Sequence, residues 1–158
     1  MRKRRASLES RCLACLVLLG LACASAALAA TLQVCPDGSG PYPTIQAAIN
    51  EAVDGDVIEL TDGTFVGPGN RGIDYLGKAI TVRSQSGDPQ NCEIDCQGVA
   101  QGVICVSGEG PQSVLSGVTL ANGSSSSGGA VYLSNTSPTF INCIFSGNHS
   151  QLGGAIYT

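Results

Sequence analysis

The stretches "SGGAVYLSN" (127–135) and "LGGAIYT" (152–158) repeat Gly-Gly-Ala-aliphatic-Tyr at a spacing of 25 residues, measured from Gly128 to Gly153. Similar short apolar runs precede them between clusters of Gly, Ser, Asp and Asn; these runs are "VIEL" (57–60), "AITV" (79–82) and "VICV" (103–106). A recurring period of about 20 to 50 residues is typical of solenoid proteins, in which each repeat is one structural unit. The repeat therefore indicates a stacked architecture.

Apolar positions within these runs form series with steps in the low to middle twenties. We expect each series to be an inward-facing column. The series are Ile58, Ile80, Ile104, Val131 and Ile156; Leu60, Val82, Val106, Leu133 and Thr158; Ile94, Val118 and Cys143; Cys96, Leu120 and Phe145; and Leu115 and Phe140. Three strand-like pieces per period predict one turn of a parallel β-helix, stacked about 4.8 Å above the last. The leucine-rich repeat pattern L-x-x-L-x-L-x-x-N is absent.

We thus predict an all-β solenoid, a parallel β-helix whose right-handedness follows the general rule for parallel crossovers. Gly128-Gly129 and Gly153-Gly154 are expected at sharp corners, where glycine adopts positive φ without a Cβ penalty. Asn122 and Asn148 are expected in corresponding corners, since Asn tolerates the left-handed region. The run "SSSS" (124–127) is expected to be a loop of this corner.

One helix is visible in "TIQAAINEAV" (44–53), where Thr44 is a suitable N-cap. Apolar residues recur there at helical spacing; they are Ile45, Ala48, Ile49 and Ala52. The first turn of a solenoid exposes strand edges, which favour aggregation. We expect this amphipathic helix to cap that end, with Ile45, Ile49 and Ala52 facing the first turn.

Residues 1–29 have the layout of a secretory signal peptide: a positive start at Arg2–Arg5, an apolar core at Leu13–Leu21 and a small-x-small site at 27–29. We predict cleavage after Ala29. The apolar core is short for a membrane span of about 20 residues. A lipoprotein signal ending at Cys23 is the alternative, but Gly20 stands where a lipobox has an aliphatic residue. Residues 30–158 are the predicted β-helix domain, and we expect further turns beyond Thr158.

Without residues 1–29 the chain keeps three Lys/Arg against eleven Asp/Glu, a formal net charge of −8. Such an acidic domain has no basic stripe for nucleic acid or anionic membranes. Five cysteines remain, Cys35, Cys92, Cys96, Cys105 and Cys143, and this part contains no C-x-x-C pair. Extended spacing places Cys92 about 13 Å from Cys96, and two turns place Cys96 about 10 Å from Cys143. Both exceed disulfide reach of about 7 Å, so we predict neither bond.

Two family resemblances follow from these motifs. The segment "YPTIQAAINEAVDGDVIELTDGTF" (42–65) resembles the opening of pectin methylesterases and other pectin lyase-like right-handed β-helices. The segments "GGAV" (128–131), "FSGN" (145–148) and "GGAI" (153–156) resemble the repeats of chlamydial-type polymorphic outer membrane proteins, although "LANG" (120–123) departs from F-x-x-N. The resemblance implies a β-helix at a cell surface. The catalytic motifs of the pectin-active enzymes are not present, so no catalytic residue carries over.

Three groups of polar residues were weighed for chemistry. The cluster Asp54, Asp56, Glu59 and Asp62 offers oxygen ligands for Ca²⁺, but Asp-Gly-Asp is also ordinary turn chemistry, which we favour. The set Asp88, Glu93 and Asp95 with Arg83 could serve acid–base chemistry, but alternation puts Glu93 and Asp95 outward if Ile94 is inward. His149, the only histidine, follows Asn148 in a corner loop with no nucleophile that can be placed beside it.

The sequence therefore predicts no catalytic residue, metal ligand or cofactor. The repeat motif, Gly128, Gly129, Ala130, Val131, Phe145, Asn148, Gly153, Gly154, Ala155 and Ile156, is predicted to be structural. Asn122, Asn135 and Asn148 start N-glycosylation sequons. Two functions stay open. The first is an exported or cell-surface protein with a structural or adhesive role, binding a polysaccharide or another surface protein. The second is a polysaccharide-active enzyme whose catalytic turns lie beyond residue 158.

Overall fold

A computed structural model of the protein describes residues 28–158. Short strands dominate this part of the chain, with one helix, α1 (Ile45–Glu51). The strands are β1 (Thr31–Val34), β2 (Val57–Leu60), β3 (Gly63–Phe65), β4 (Ile73–Asp74), β5 (Thr81–Ser84), β6 (Cys92–Asp95), β7 (Val103–Cys105), β8 (Val114–Ser116), β9 (Thr119–Ala121), β10 (Ser124–Ser127), β11 (Val131–Leu133), β12 (Thr139–Ile141), β13 (Ile144–Ser146), β14 (His149–Leu152) and β15 (Ile156–Tyr157).

The strands form parallel ladders that the chain visits in rotation. The first sheet has the order β1-β2-β5-β8-β12, the second has β3-β6-β9-β13, and the third has β4-β7-β11-β15. Strands β10 and β14 form a fourth, two-stranded ladder. Each circuit of the chain adds one strand to each of the three main sheets, for example β5, β6 and β7. The fold is therefore a parallel β-solenoid, as the repeat predicted.

Every main sheet contributes a column of stacked apolar side chains to one interior. The columns are Leu32, Ile58, Val82, Leu115 and Phe140 in the first sheet; Phe65, Ile94, Leu120 and Phe145 in the second; and Ile73, Val103, Val131 and Ile156 in the third. Neighbours in the middle of these columns are fully buried. Since no turn covers its own inner face, each depends on the turns beside it.

The register of the last two turns matches the predicted step of 25. Leu115 pairs with Phe140, Leu120 with Phe145, and Val131 with Ile156. The equal length of these two turns explains why their series could be identified from sequence.

Earlier parts of the predicted series are wrong. Ile58 pairs with Val82 in the first sheet and belongs to a different sheet from Val131. Ile104 pairs with the half-buried Tyr132, whereas its neighbour Val103 occupies the core column, and Val106 is 48% exposed. The turns differ in length: the step from β2 to β5 is 24 residues, at Val57 to Thr81, whereas the step from β5 to β8 is 33, at Thr81 to Val114. A constant step cannot follow such a chain.

The second-sheet series needs the same correction. Leu120 pairs with Ile94, so Cys96 does not begin the column of Leu120 and Phe145. Val118 and Cys143 lie just before the paired strands β9 and β13, and neither continues the column of Ile94. The step from Ile94 to Leu120 is 26 residues, one more than the next step, and a one-residue slip in a strand reverses which face a side chain occupies.

Helix α1 forms where its amphipathic pattern predicted. The Thr44 hydroxyl accepts a hydrogen bond from the Ala47 N–H at 3.2 Å, which makes Thr44 the N-cap. The apolar face, comprising Ile45, Ala48 and Ile49, is fully buried, and the helix packs against β1, β2 and β4. Burial of this face stabilises a helix too short to persist alone.

Polar side chains join α1 to the strands near it. The side-chain amide of Gln46 both accepts from the Asp74 N–H at 2.9 Å and donates to the Asp74 carbonyl at 3.0 Å, which satisfies the backbone of β4 as a neighbouring strand would. The buried Asn70 accepts from the Ile45 N–H at 2.9 Å. At the other end of the helix, the Lys78 ammonium donates to the Ile49 and Asn50 carbonyls.

Replacing Gln46 by leucine removes both bonds to Asp74 while keeping a strong helix former of similar size. We expect Gln46→Leu to lower the free energy of unfolding by about 1–2 kcal/mol, since hydrogen bonds of this kind contribute about 1 kcal/mol each. Urea unfolding measures the change. Glu51→Leu, at an exposed position of the same helix, is the matched control. Equal losses in the two variants would contradict a role for the Gln46 amide.

Candidate functional site

The repeated corner is built by the paired strands β10 and β14 and the Gly-Gly that follows each. Gly128 and Gly153 have positive φ values of 65° and 62°. A Cβ at Gly128 would lie 2.1 Å from the Val131 carbonyl oxygen, and one at Gly153 would lie 2.3 Å from that of Ile156. Both φ and space therefore require glycine at the first position of each pair.

The second glycine of the pair responds to the next turn. A Cβ at Gly129 would lie 2.2 Å from the carbonyl oxygen of Gly154, whereas a Cβ at Gly154 would meet only the Asn148 oxygen, at 3.8 Å. Ala130 is buried, and its N–H and that of Val131 both donate to the Ala155 carbonyl at 2.9 Å. The Gly-Gly-Ala sequence thus permits the backbones of two turns to approach closely.

A serine of the same corner was not singled out from the sequence. The Ser125 hydroxyl donates to the Ser127 carbonyl at 2.6 Å and accepts from the Ser127 N–H at 3.1 Å. Ser150 bonds in the same way to the carbonyl and N–H of Leu152. The signal was present in the sequence, because Ser-x-x-Gly-Gly occurs at 125–129 and again at 150–154.

The Phe-x-x-Asn segment joins the core to the corner. Phe145 stacks in the second-sheet column and meets Phe140 edge-on, with ring centroids 6.1 Å apart. The Asn148 side chain accepts from the Gly123 N–H at 2.7 Å and donates to the Leu120 carbonyl at 2.9 Å, so it is bonded to the preceding turn. Asn122 is not its equivalent: the pairing of Ala121 with Ser146 sets Asn122 opposite Gly147, and both have positive φ.

Two tyrosines of the repeat face outward on the third sheet. Tyr132 and Tyr157 are paired in register, and their rings are stacked with centroids 5.6 Å apart and planes 6° apart. Both are half-buried, and Ile104 and Asp74 occupy the same outward register in the preceding turns. The stack leaves an aromatic face on the outer surface of the solenoid.

The acidic cluster near α1 is dispersed in the structure. Asp54 accepts from the Ala79 N–H at 2.9 Å, Glu59 forms an ion pair with Arg83 at 3.0 Å, and Asp62 accepts from the Ser86 hydroxyl at 2.7 Å. Asp56 is buried and accepts two backbone N–H groups. These carboxylates serve turns and links between turns. Among residues 28–158, no three His, Cys, Asp or Glu side chains come together as a metal site would require.

The second acidic set is also not assembled with its arginine. Asp95 accepts from the Gln97 N–H at 2.8 Å and from the Asn122 side chain at 3.0 Å. Asp88 accepts from the Gln90 N–H at 3.0 Å. Ile94 is fully buried between the half-buried Glu93 and Asp95, as alternation predicted. The guanidinium of Arg83 is bonded to Glu59 and so does not orient these carboxylates.

His149 and the three sequon asparagines lie at the corners. His149 begins β14, is exposed, and donates its backbone N–H to the Gly123 carbonyl. Asn122 and Asn135 are exposed and have φ values of 54°. Asn148 is half-buried with both amide atoms bonded, so a glycan there would break its links to the preceding turn.

The five cysteines of the described chain are free thiols. Burial raises the pKa of Cys92 to about 12, that of Cys96 to about 11 and that of Cys105 to about 12. Burial also raises the pKa of Cys143. The thiolate is the reactive form, so these four cysteines remain protonated at neutral pH and act as apolar core members.

A buried carboxylate also lies beside an open depression of about 370 Å³ between β7 and β8 and the last turn, at Glu109, Asn135 and Thr158. Glu109 is 1% exposed and accepts from the Gly77 N–H at 2.8 Å and the Ser107 N–H at 2.9 Å. The Ser137 N–H donates to its carbonyl. Glu109 therefore fixes the longer connection of this turn, a role that no pattern in the sequence indicated.

Together, the stacked ladders and repeated corners define a parallel β-solenoid with in-register sequence repeats. Residues 142–158 match the family model of the Chlamydia polymorphic membrane protein (Chlamydia_PMP) repeat. The match includes Phe145, Asn148 and the Gly153–Ile156 corner, and it confirms the resemblance drawn from these residues. No curated protein and no solved structure matches the chain. Within residues 28–158 the only helix is too short to span a membrane.

The two second-position glycines offer a matched test of stacking. We expect Gly129→Ala to lower the free energy of unfolding by about 1–3 kcal/mol, as overpacked substitutions do, because its Cβ would overlap the Gly154 carbonyl. Gly154→Ala is the control, since nothing lies within 3.8 Å of its Cβ. Thermal and urea unfolding of both variants measure the difference. Equal stabilities would contradict the close approach of the two turns.

Proposed function

We propose that the protein is an exported, cell-surface β-helix repeat protein that binds a polysaccharide through the outer face of its third sheet. The polymorphic membrane protein repeat at 142–158 supports a surface-associated β-helix protein. The observation that carries the binding role is the outward stack of Tyr132 and Tyr157.

Tyrosine suits a sugar-binding surface because its ring offers a flat apolar face and its hydroxyl offers a hydrogen-bonding edge. The two rings are held nearly parallel by register pairing of their strands, so little side-chain freedom is lost on binding. The formal net charge of −8 for residues 30–158 disfavours polyanions. A neutral polysaccharide is thus the favoured partner.

Binding is tested by affinity electrophoresis and co-sedimentation with insoluble cellulose, chitin, xylan and mannan, with polygalacturonate as the anionic comparison. We expect the double variant Tyr132→Ala/Tyr157→Ala to lose at least about tenfold in affinity, which corresponds to about 1.4 kcal/mol. The matched variant Tyr132→Phe/Tyr157→Phe keeps the rings and is expected to retain most of the binding.

Three outcomes would contradict this proposal or its details. No binding to any of these polymers would overturn the binding role. Equal binding by the alanine and phenylalanine variants would place the site elsewhere. Release of new reducing ends from any polymer would favour the second hypothesis, a polysaccharide-active enzyme.

The finer architecture is part of the proposal. We propose cleavage after Ala29, a right-handed solenoid in residues 30–158 and a capping role for α1. The buried face of α1 and the Gln46 bonds to Asp74 support the cap. The pectin lyase-like resemblance of 42–65 stays a prediction. Residues 1–27, which hold most of the predicted signal peptide and Cys23, lie outside the described residues.

The opposite end of the solenoid is proposed to receive further strands. Strands β12, β13 and β15 are outermost in the three main sheets. Large apolar side chains of that last turn are exposed by 37–54%: Ile141, Ile144, Leu152 and Ile156. Gly154 leaves room for a carbonyl oxygen above it, as Gly129 does for that of Gly154. An added turn in the 25-residue register would cover these groups.

This proposal predicts that a second copy of residues 134–158, appended after Thr158, folds as one more turn. We expect a higher unfolding midpoint and a larger urea m-value, since more surface is buried. In the lengthened protein, Gly154→Ala should become destabilising, whereas it is tolerated in the 158-residue chain. An unchanged m-value, or a Gly154→Ala effect that does not depend on length, would contradict stacking.

A further inference from the structure

The carboxylate of Asp56 binds the chain at the start of β1. Asp56 is 5% exposed. Its Oδ1 accepts from the Ala30 N–H at 2.8 Å, and its Oδ2 accepts from the Val53 N–H at 2.8 Å. The Ala30 carbonyl in turn accepts from the Val57 N–H at 2.8 Å, so Ala30 is fixed from both sides.

Ala30 is also the residue that the predicted cleavage would make N-terminal. The preceding Leu28 is 95% exposed, and Ala29 is exposed, so the chain leaves the fold at this point. No core residue of the described chain precedes Leu32, and residues 30–158 therefore retain the whole core. Hydrolysis of the Ala29–Ala30 peptide bond consumes one water. The hydroxyl goes to the Ala29 carboxyl group and the hydrogen to the Ala30 amine, which takes up a proton to become an ammonium.

We infer that Asp56 is a preformed receptor for the α-ammonium group of Ala30, so that removal of the signal peptide converts a neutral hydrogen bond into a buried ion pair. Charge-assisted hydrogen bonds are roughly twice as strong as neutral ones. The new pair ties β1 to the loop between α1 and β2. Maturation would thereby stabilise the first turn, whatever the outer face binds.

The charges around Asp56 are compatible with this role. The hydrogen bonds from Val53 and Ala30, and more weakly the Lys78 ammonium, hold the pKa of Asp56 below its usual value, so the carboxylate is ionised at neutral pH. Lys78 itself donates to the Ile49 and Asn50 carbonyls, and Asp54 is bonded to the Ala79 N–H. Neither replaces Ala30 at the Asp56 Oδ1 atom.

The pH dependence follows from the direction of the amine's titration. An α-amino group has an ordinary pKa of about 7.7–8.0, and an adjacent carboxylate raises it in the folded state. The added stability is therefore fully present below about pH 7.7 and is lost as the pH rises through the raised folded-state pKa. The neutral hydrogen bond of an uncleaved chain shows no such loss.

The test compares two chains that differ by one alanine: one begins at Ala30 and the other at Ala29. Both carry a terminal ammonium, but only the first places it on Asp56. At pH 6.5 we expect a higher urea midpoint for the chain that begins at Ala30. The difference should disappear in Asp56→Asn and at pH 10. Equal midpoints in the native-sequence pair would overturn the inference.

A second measurement does not depend on the stability of the Asp56→Asn variant. NMR titration of the chain that begins at Ala30 should give an α-amino pKa above the ordinary range, and an ordinary value for the chain that begins at Ala29. The same ordinary value in both chains would overturn the inference. Mass spectrometry of the exported protein must also show Ala30 as its first residue, and a different N-terminus would equally overturn it.

Discussion

The structure depends on the close parallel stacking of each turn on the one before it. Neighbouring strands lie about 4.8 Å apart, and the corners must keep nearly the same spacing. At the corner there is no room between the turns for a side chain: a Cβ at Gly123 would lie 1.9 Å from the Gly129 oxygen, and one at Gly129 would lie 2.2 Å from the Gly154 oxygen. The repeated glycines follow from this restriction.

Regular stacking also explains how much of the fold could be predicted from sequence. Two turns of equal length leave the same residue types 25 positions apart, which made β11 and β15 visible and set Leu120 against Phe145. The step from Thr81 to Val114 broke this regularity by inserting a longer connection. A constant period then carried the prediction out of register, so that Ile104 was placed in the core instead of Val103.

The polar contacts that fix irregular segments were the least predictable part of the candidate site. Glu109, Gln46 and Asp56 each bind backbone N–H groups that are distant in sequence. Their sequence context indicates only a turn or the polar face of a helix. Which N–H group a carboxylate or amide reaches depends on how the turns are stacked, and no local pattern records that. Ser125 differs, because its partners are local and its spacing to Gly128 is repeated.

The outer face is the part of the solenoid that stacking constrains least. The outward position of the third sheet is occupied by Asp74, Ile104, Tyr132 and Tyr157 in successive turns. A carboxylate and an aliphatic side chain are accepted there as well as an aromatic ring, so the fold itself does not demand tyrosine. The inward partners, by contrast, remain aliphatic from Ile73 to Ile156. Identity at an unconstrained position therefore carries information beyond the fold, and the paired tyrosines are where function is best sought.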